Sequence, residues 1–188
     1  NSAMLLLRET IGLAPTNAVA HSNLGGLLTK LGRHDEAIIH YKTAIELEPH
    51  NPDSRHNYAL LLARTHRHTE ARTEFEDVLR RKSTHMPAVQ QLAWLLATSP
   101  ECPDASKALY LAKQALSARV TPDTLDVAAA AAAANGDYAS AVRLAQQALQ
   151  MIRTEQHSAK EDEIRARLQL YLGRQKYTQP GLDQRKQP

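Results

Sequence analysis

Aromatic residues are scarce in this chain of 188 residues, which holds one Trp, one Phe and six Tyr, 4% of the whole. Set against 43% apolar residues, that scarcity leans towards helix rather than sheet. Cysteine occurs once, at Cys102, which excludes an internal disulfide. No apolar run approaches the roughly 20 residues that a membrane-spanning helix needs, and the N-terminus lacks the basic-then-apolar order of a signal peptide. No direct membrane contact is expected, and the expected setting is the cytoplasm or the soluble part of a membrane-anchored protein. A dominant charge of one sign is missing as well. The 23 Lys and Arg are mixed among 20 Asp and Glu, so no nucleic-acid partner is expected despite a pI near 9.1.

What is present is a repeat. In "LGRHDEAIIHYKTAIELEP", residues 31–49, Ala37, Ile38, Tyr41, Ala44 and Ile45 form the narrow apolar stripe of one helix, with small residues that let a neighbour approach closely. The same offsets give Ala71, Phe75, Val78 and Leu79, with Arg72 as a polar intruder; then Ala108, Leu109, Ala112, Ala115 and Leu116; then Ala141, Val142, Ala145, Ala148 and Leu149. Ala3, Met4, Leu7, Thr10 and Ile11 fit too, so successive copies lie 34, 34, 37 and 33 residues apart. A fixed period near 34 means an array of stacked units.

Each full copy has a first helix before it. In the first unit that helix carries Leu24, Leu27, Leu28 and Leu31 and ends near Gly32. Asn51 before Pro52 and Thr121 before Pro122 offer an N-cap oxygen followed by proline at the first helical position, where its missing N–H costs nothing. The run Ala128 to Ala134 falls where a first helix is required, and alanine is the best helix former.

With Asn23-Leu24-Gly25, Gly32, Ala37, Tyr41, Ala44 and Pro49, residues 18–51 resemble the tetratricopeptide repeat (TPR) nearly position for position. Residues 52–85 match in length and in Ala59, Ala71 and Phe75, with Ser83 where the closing proline belongs. Residues 86–121 are lengthened by "TSPECPD" between the helices, and 122–152 return to form with Gly136-Asp137-Tyr138. The resemblance implies an all-α fold, a right-handed α-solenoid of stacked antiparallel helix pairs. Residues 1–17 would be the second helix of a truncated repeat, as in a fragment of a longer protein with Asn1-Ser2-Ala3 as an expression remnant. Residues 153–174 would be a capping helix, with Ser158 and Glu161 at capping-box spacing and Ile164, Leu168, Tyr171 and Leu172 as its apolar stripe. Residues 175–188 would be a polar, extended tail.

The resemblance also implies a concave groove lined by first helices, in which the family holds peptides or partner proteins. The sixth position of each unit faces that groove and is Asn23, Asn57, Gln91 and then Val127. In superhelical relatives a carboxamide ladder there holds a peptide backbone, since one amide both donates and accepts. Around it, His56, Leu60 and Arg64 would set side-chain preference, and Lys30 and Arg64 stand at equivalent positions for an acidic ligand, or as solvated charges. Trp94 either anchors a partner side chain in the groove or, if the lengthened loop shifts its helix, packs in the core. A carboxylate clamp is not expected, because Ser22 and Gly26 stand where the family's Lys and Asn would be.

No catalytic residue, metal site or cofactor is expected. His66 and His68, two apart at an interhelix turn, are read as surface histidines, and Cys102 lies in a loop without an adjacent base. The leading reading is a scaffold or adaptor that binds an extended peptide or partner protein in the groove. The alternative is the recruiting or regulatory arm of a larger enzyme, such as a membrane glycosyltransferase. Weak self-association is also expected, through the stripe Met4, Leu7 and Ile11 left uncovered on the N-terminal repeat face.

Overall fold

The computed structural model describes residues 2–152 and 159–179, and the described residues form ten α-helices with no strand. They are α1 (Ser2–Leu13), α2 (Ala18–Lys30), α3 (His34–Leu47), α4 (Pro52–Arg64), α5 (His68–Arg81), α6 (Met86–Thr98), α7 (Ala105–Ala118), α8 (Pro122–Ala134), α9 (Tyr138–Ile152) and α10 (Ala159–Leu172). None is long and apolar enough to cross a membrane. The chain divides into two compact units, Asn1–His85 and Met86–Pro188. Ser158 and residues 180–188 lie outside the described residues, and with them the capping-box pairing and most of the tail.

Side-chain caps mark several helix starts. Asn17 accepts from the Ala20 N–H at 2.9 Å, Asn51 from Asp53 at 3.0 Å and Asp104 from Lys107 at 3.0 Å. Thr121 and Thr124 form a reciprocal capping box at the start of α8. Helix ends show a second regularity. The N–H groups of Arg33, Arg67, Asp137 and Gln175 each donate to the carbonyl five residues back, at 2.8–3.0 Å. The residue before each has left-handed backbone: Gly32 at φ 75°, His66 at 61°, Gly136 at 81° and Arg174 at 55°. These are Schellman turns, a conformation that glycine adopts without steric cost.

In the first unit α2 packs on α3, α3 on α4 and α4 on α5, and the first helices α2 and α4 also touch. Gly25 has a close-packing reason to be glycine, since a Cβ there would lie 3.0 Å from the Tyr41 ring. The interior is not purely apolar. His21, His68 and His85 are buried with Tyr41, Phe75 and the leucines, so His68 is not the surface histidine that its place at a turn suggests. On helix α1, Met4, Leu7 and Ile11 are half-buried, and Leu5, Leu6 and Leu13 are exposed.

In the second unit α6 packs on α7, α7 on α8, α8 on α9 and α9 on α10, with α6 also against α8. Its interior is built largely from alanine, and Ala128 to Ala133 are all buried. On α10 the buried side is Glu161, Ile164, Arg167 and Tyr171; Leu172, expected in the apolar stripe, is 56% exposed.

Candidate functional site

The eight candidate groove residues fall in different units and are taken unit by unit. In the first, Asn23 and Lys30 are exposed on α2, Asn57 and Leu60 are half-buried on α4, and Arg64 is exposed at the end of α4. His56 departs from the expected role. Its ring faces inward, against Phe75 with centroids 5.7 Å apart and against His85 at 4.9 Å. Burial, and then the neighbouring His85, pushes its imidazole down to about 4. His85 in turn reaches Asp53 through Nε2 at 3.1 Å.

A second imidazole pair lies nearby. His21 Nε2 lies 3.1 Å from the Pro15 carbonyl, which only accepts, so that nitrogen carries a proton. His21 Nδ1 and His40 Nδ1 lie at hydrogen-bond distance, 2.9 Å apart. Burial, followed by His21, lowers the pKa of His40.

In the second unit α6, α8 and α10 present one face together. They line a cleft of about 450 Å³ with Gln90, Gln91 and Trp94 from α6, Asp123, Asp126 and Val127 from α8, and Lys160, Glu163 and Arg167 from α10. Gln91 and Trp94 thus stand side by side in one cavity, and Trp94 is half-buried at its wall rather than enclosed in the core. At its floor, Arg167 grips Asp126 with two parallel bonds, Nε to Oδ1 at 3.0 Å and Nη2 to Oδ2 at 2.7 Å. Both residues are buried, and fork-to-fork geometry with further support is what makes such a pair tolerable away from water. That support comes from Lys160, whose Nζ lies 3.5 Å from Asp126 and 2.8 Å from Asp123.

Residues 175–179 return to this face. The Tyr177 ring lies 5.8 Å from that of Trp94, and the Arg167 guanidinium lies over both, 5.1 Å from the Trp94 centroid and 5.4 Å from that of Tyr177. The Gln179 N–H donates to the Thr98 carbonyl at 2.8 Å. The first part of the expected extended tail is therefore held against this face. Asp126, Arg167 and Tyr177 are absent from the sequence-derived candidates. A signal for two of them existed: Asp126 is the charge that interrupts the apolar run of α8, and Arg167 occupies the apolar register between Ile164 and Tyr171.

The observed class is an all-α helical-repeat solenoid. Two tetratricopeptide-repeat family profiles match the sequence, over residues 18–51 and 40–73. Solved TPR structures match far more of the chain. One is the thermophilic TPR protein TTC0263 of Thermus thermophilus, at 19% identity and TM-score 0.68 over 90% of this chain and 88% of that one. Another is a tetratricopeptide repeat protein of Parabacteroides merdae, at 20% identity and TM-score 0.75 over 92% and 67%. A third is YrrB, a TPR protein with an unusual peptide-binding site, at 16% identity and TM-score 0.63 over 90% and 92%. No curated protein sequence matches the chain significantly. Residues 18–73 thus match the tetratricopeptide repeat, and the chain shares the fold of these TPR structures, one that generally serves protein–protein interaction.

Proposed function

We propose that this protein is an interaction scaffold that holds an extended peptide segment of a partner protein against the first-helix faces of its repeats, with no chemistry of its own. One observation carries the reading. The face of α6, α8 and α10 already accommodates an extended stretch of chain, residues 175–179, through the Tyr177 ring and the backbone bond from Gln179 to Thr98. The carboxamides of Gln90 and Gln91 line the adjoining cleft, and Asn23 and Asn57 stand on the first helices of the other unit. Each such bond contributes about 1 kcal/mol net, so affinity is expected to be modest.

The test is selection of random extended peptides on the full chain, with binders measured by calorimetry against Trp94→Leu and Asn23→Ala/Asn57→Ala. At least one of these variants should bind about tenfold more weakly at unchanged helicity, a difference of about 1.4 kcal/mol. A library that yields no binder, or binders indifferent to both variants, defeats the proposal.

A further inference from the structure

We infer that a partner segment enters the cleft of the second unit with an aromatic side chain in the slot over Trp94 and Arg167, and that residues 175–179 compete for that slot. The inference rests on the scaffold reading above and narrows it to one place and one side-chain class. The slot does not depend on Tyr177 for its shape. Arg167 is fixed by both oxygens of buried Asp126, and Trp94 by α6, so a flat cation and an indole stay side by side. A ring placed there meets Trp94 at an offset angle and the guanidinium across its face, and both contacts select a π system over an aliphatic chain.

Tyr177, by contrast, sits as an occupant. It is half-buried, its neighbours Lys176 and Thr178 are exposed, and the backbone of this stretch is tied to α6 by the Gln179 bond. Next to the slot the cleft has room for flanking residues. Its carboxamides can pair with a backbone, and exposed Glu163 favours a basic neighbour to the aromatic residue. The chain's own pair Lys176-Tyr177 has that pattern.

Trp94 is the sole tryptophan and reports on the slot directly. The probe is the end-blocked hexapeptide RQKYTQ, residues 174–179, alongside the same peptide with Ala for Tyr. Both are titrated into the full chain and into Tyr177→Ala, with helicity checked. A tethered segment competes at high effective concentration, on the order of millimolar for a short linker. Tyr177→Ala should therefore bind RQKYTQ at least tenfold more tightly than the parent does, shifting Trp94 emission, and should ignore the tyrosine-free peptide. Equal affinity for parent and variant, equal binding of the two peptides, or no binding to Tyr177→Ala overturns the inference. Library-selected peptides that bind Trp94→Leu undiminished also overturn it, while leaving the scaffold reading intact.

Discussion

The two units are built on one repeat, yet they fill the space between their helices in opposite ways. Both keep a fully buried alanine at the start of the second-helix stripe: Ala37 and Ala71 in the first, Ala108 and Ala141 in the second. Around that shared feature the first unit packs tyrosine, phenylalanine, leucine and buried imidazoles, whereas the second packs alanines around one bidentate ion pair. The repeat thus dictates close approach at the helix crossings and leaves the rest of the interior to chance. One interior contains imidazoles, and the other contains a charge pair.

The largest effect should come from splitting that pair. Arg167→Leu leaves the Asp126 carboxylate buried without its partner and should cost about 3–5 kcal/mol in denaturant unfolding followed by circular dichroism. The double variant Arg167→Leu/Asp126→Leu should recover most of the loss, and if it does not, the pair's worth lies in more than charge compensation.

Acid should separate the units next. His56 is held at about 4 against an ordinary 6.5, so the unfolded chain takes up its proton first as pH falls. Stability from this group is complete above 6.5 and is lost progressively towards 4, about 1–2 kcal/mol at pH 4.5 after discounting its partial exposure. Half-buried His40, also lowered, adds in the same direction. The described part of the second unit holds no histidine. Amide exchange at pH 4.5 should therefore loosen α4 and α5 before α8 and α9, and His56→Leu should flatten the difference.

Adjacent glycines sharpen the packing argument. Gly25→Ala gains about 1 kcal/mol of helix propensity but drives a methyl to 3.0 Å from Tyr41, for a net loss of about 1 kcal/mol. Gly26→Ala meets only the Tyr41 hydroxyl at 3.6 Å and should be stabilising. The smallest change is His66→Gly, which relieves a left-handed histidine and should add about 0.5 kcal/mol, read as a raised Tm.

The repeat was legible because steric demand at a crossing fixes residue identity: the alanine spacing and the Leu-Gly before Tyr41 follow from contacts made within one or two helices. Asn51 and Thr121 could be read as caps for the same local reason. The site was less legible. Arg167 meets Asp126 across 41 residues, and nothing local tells a buried arginine from a solvated one among the charges of α10. His68 and His56 point inward because of partners on other helices, which a turn position and a groove register do not reveal. Tyr177 belongs to a stretch whose polarity suggested solvent, and its placement depends on the Arg174 turn and on Trp94.

The contact between Tyr177 and Trp94 also bears on how the second unit folds. Apart from Arg167 over Trp94, its helix packing joins elements adjacent or next but one along the chain, the arrangement that lets a linear array nucleate locally and propagate quickly. Tyr177 instead closes a loop containing every helix from α7 to α10. Such a closure forms only once the intervening layers are in place, so it acts as a clasp fastened last. In stopped-flow refolding, Trp94 emission should gain a final phase after helicity is complete, absent in Tyr177→Ala, while the main folding rate stays the same.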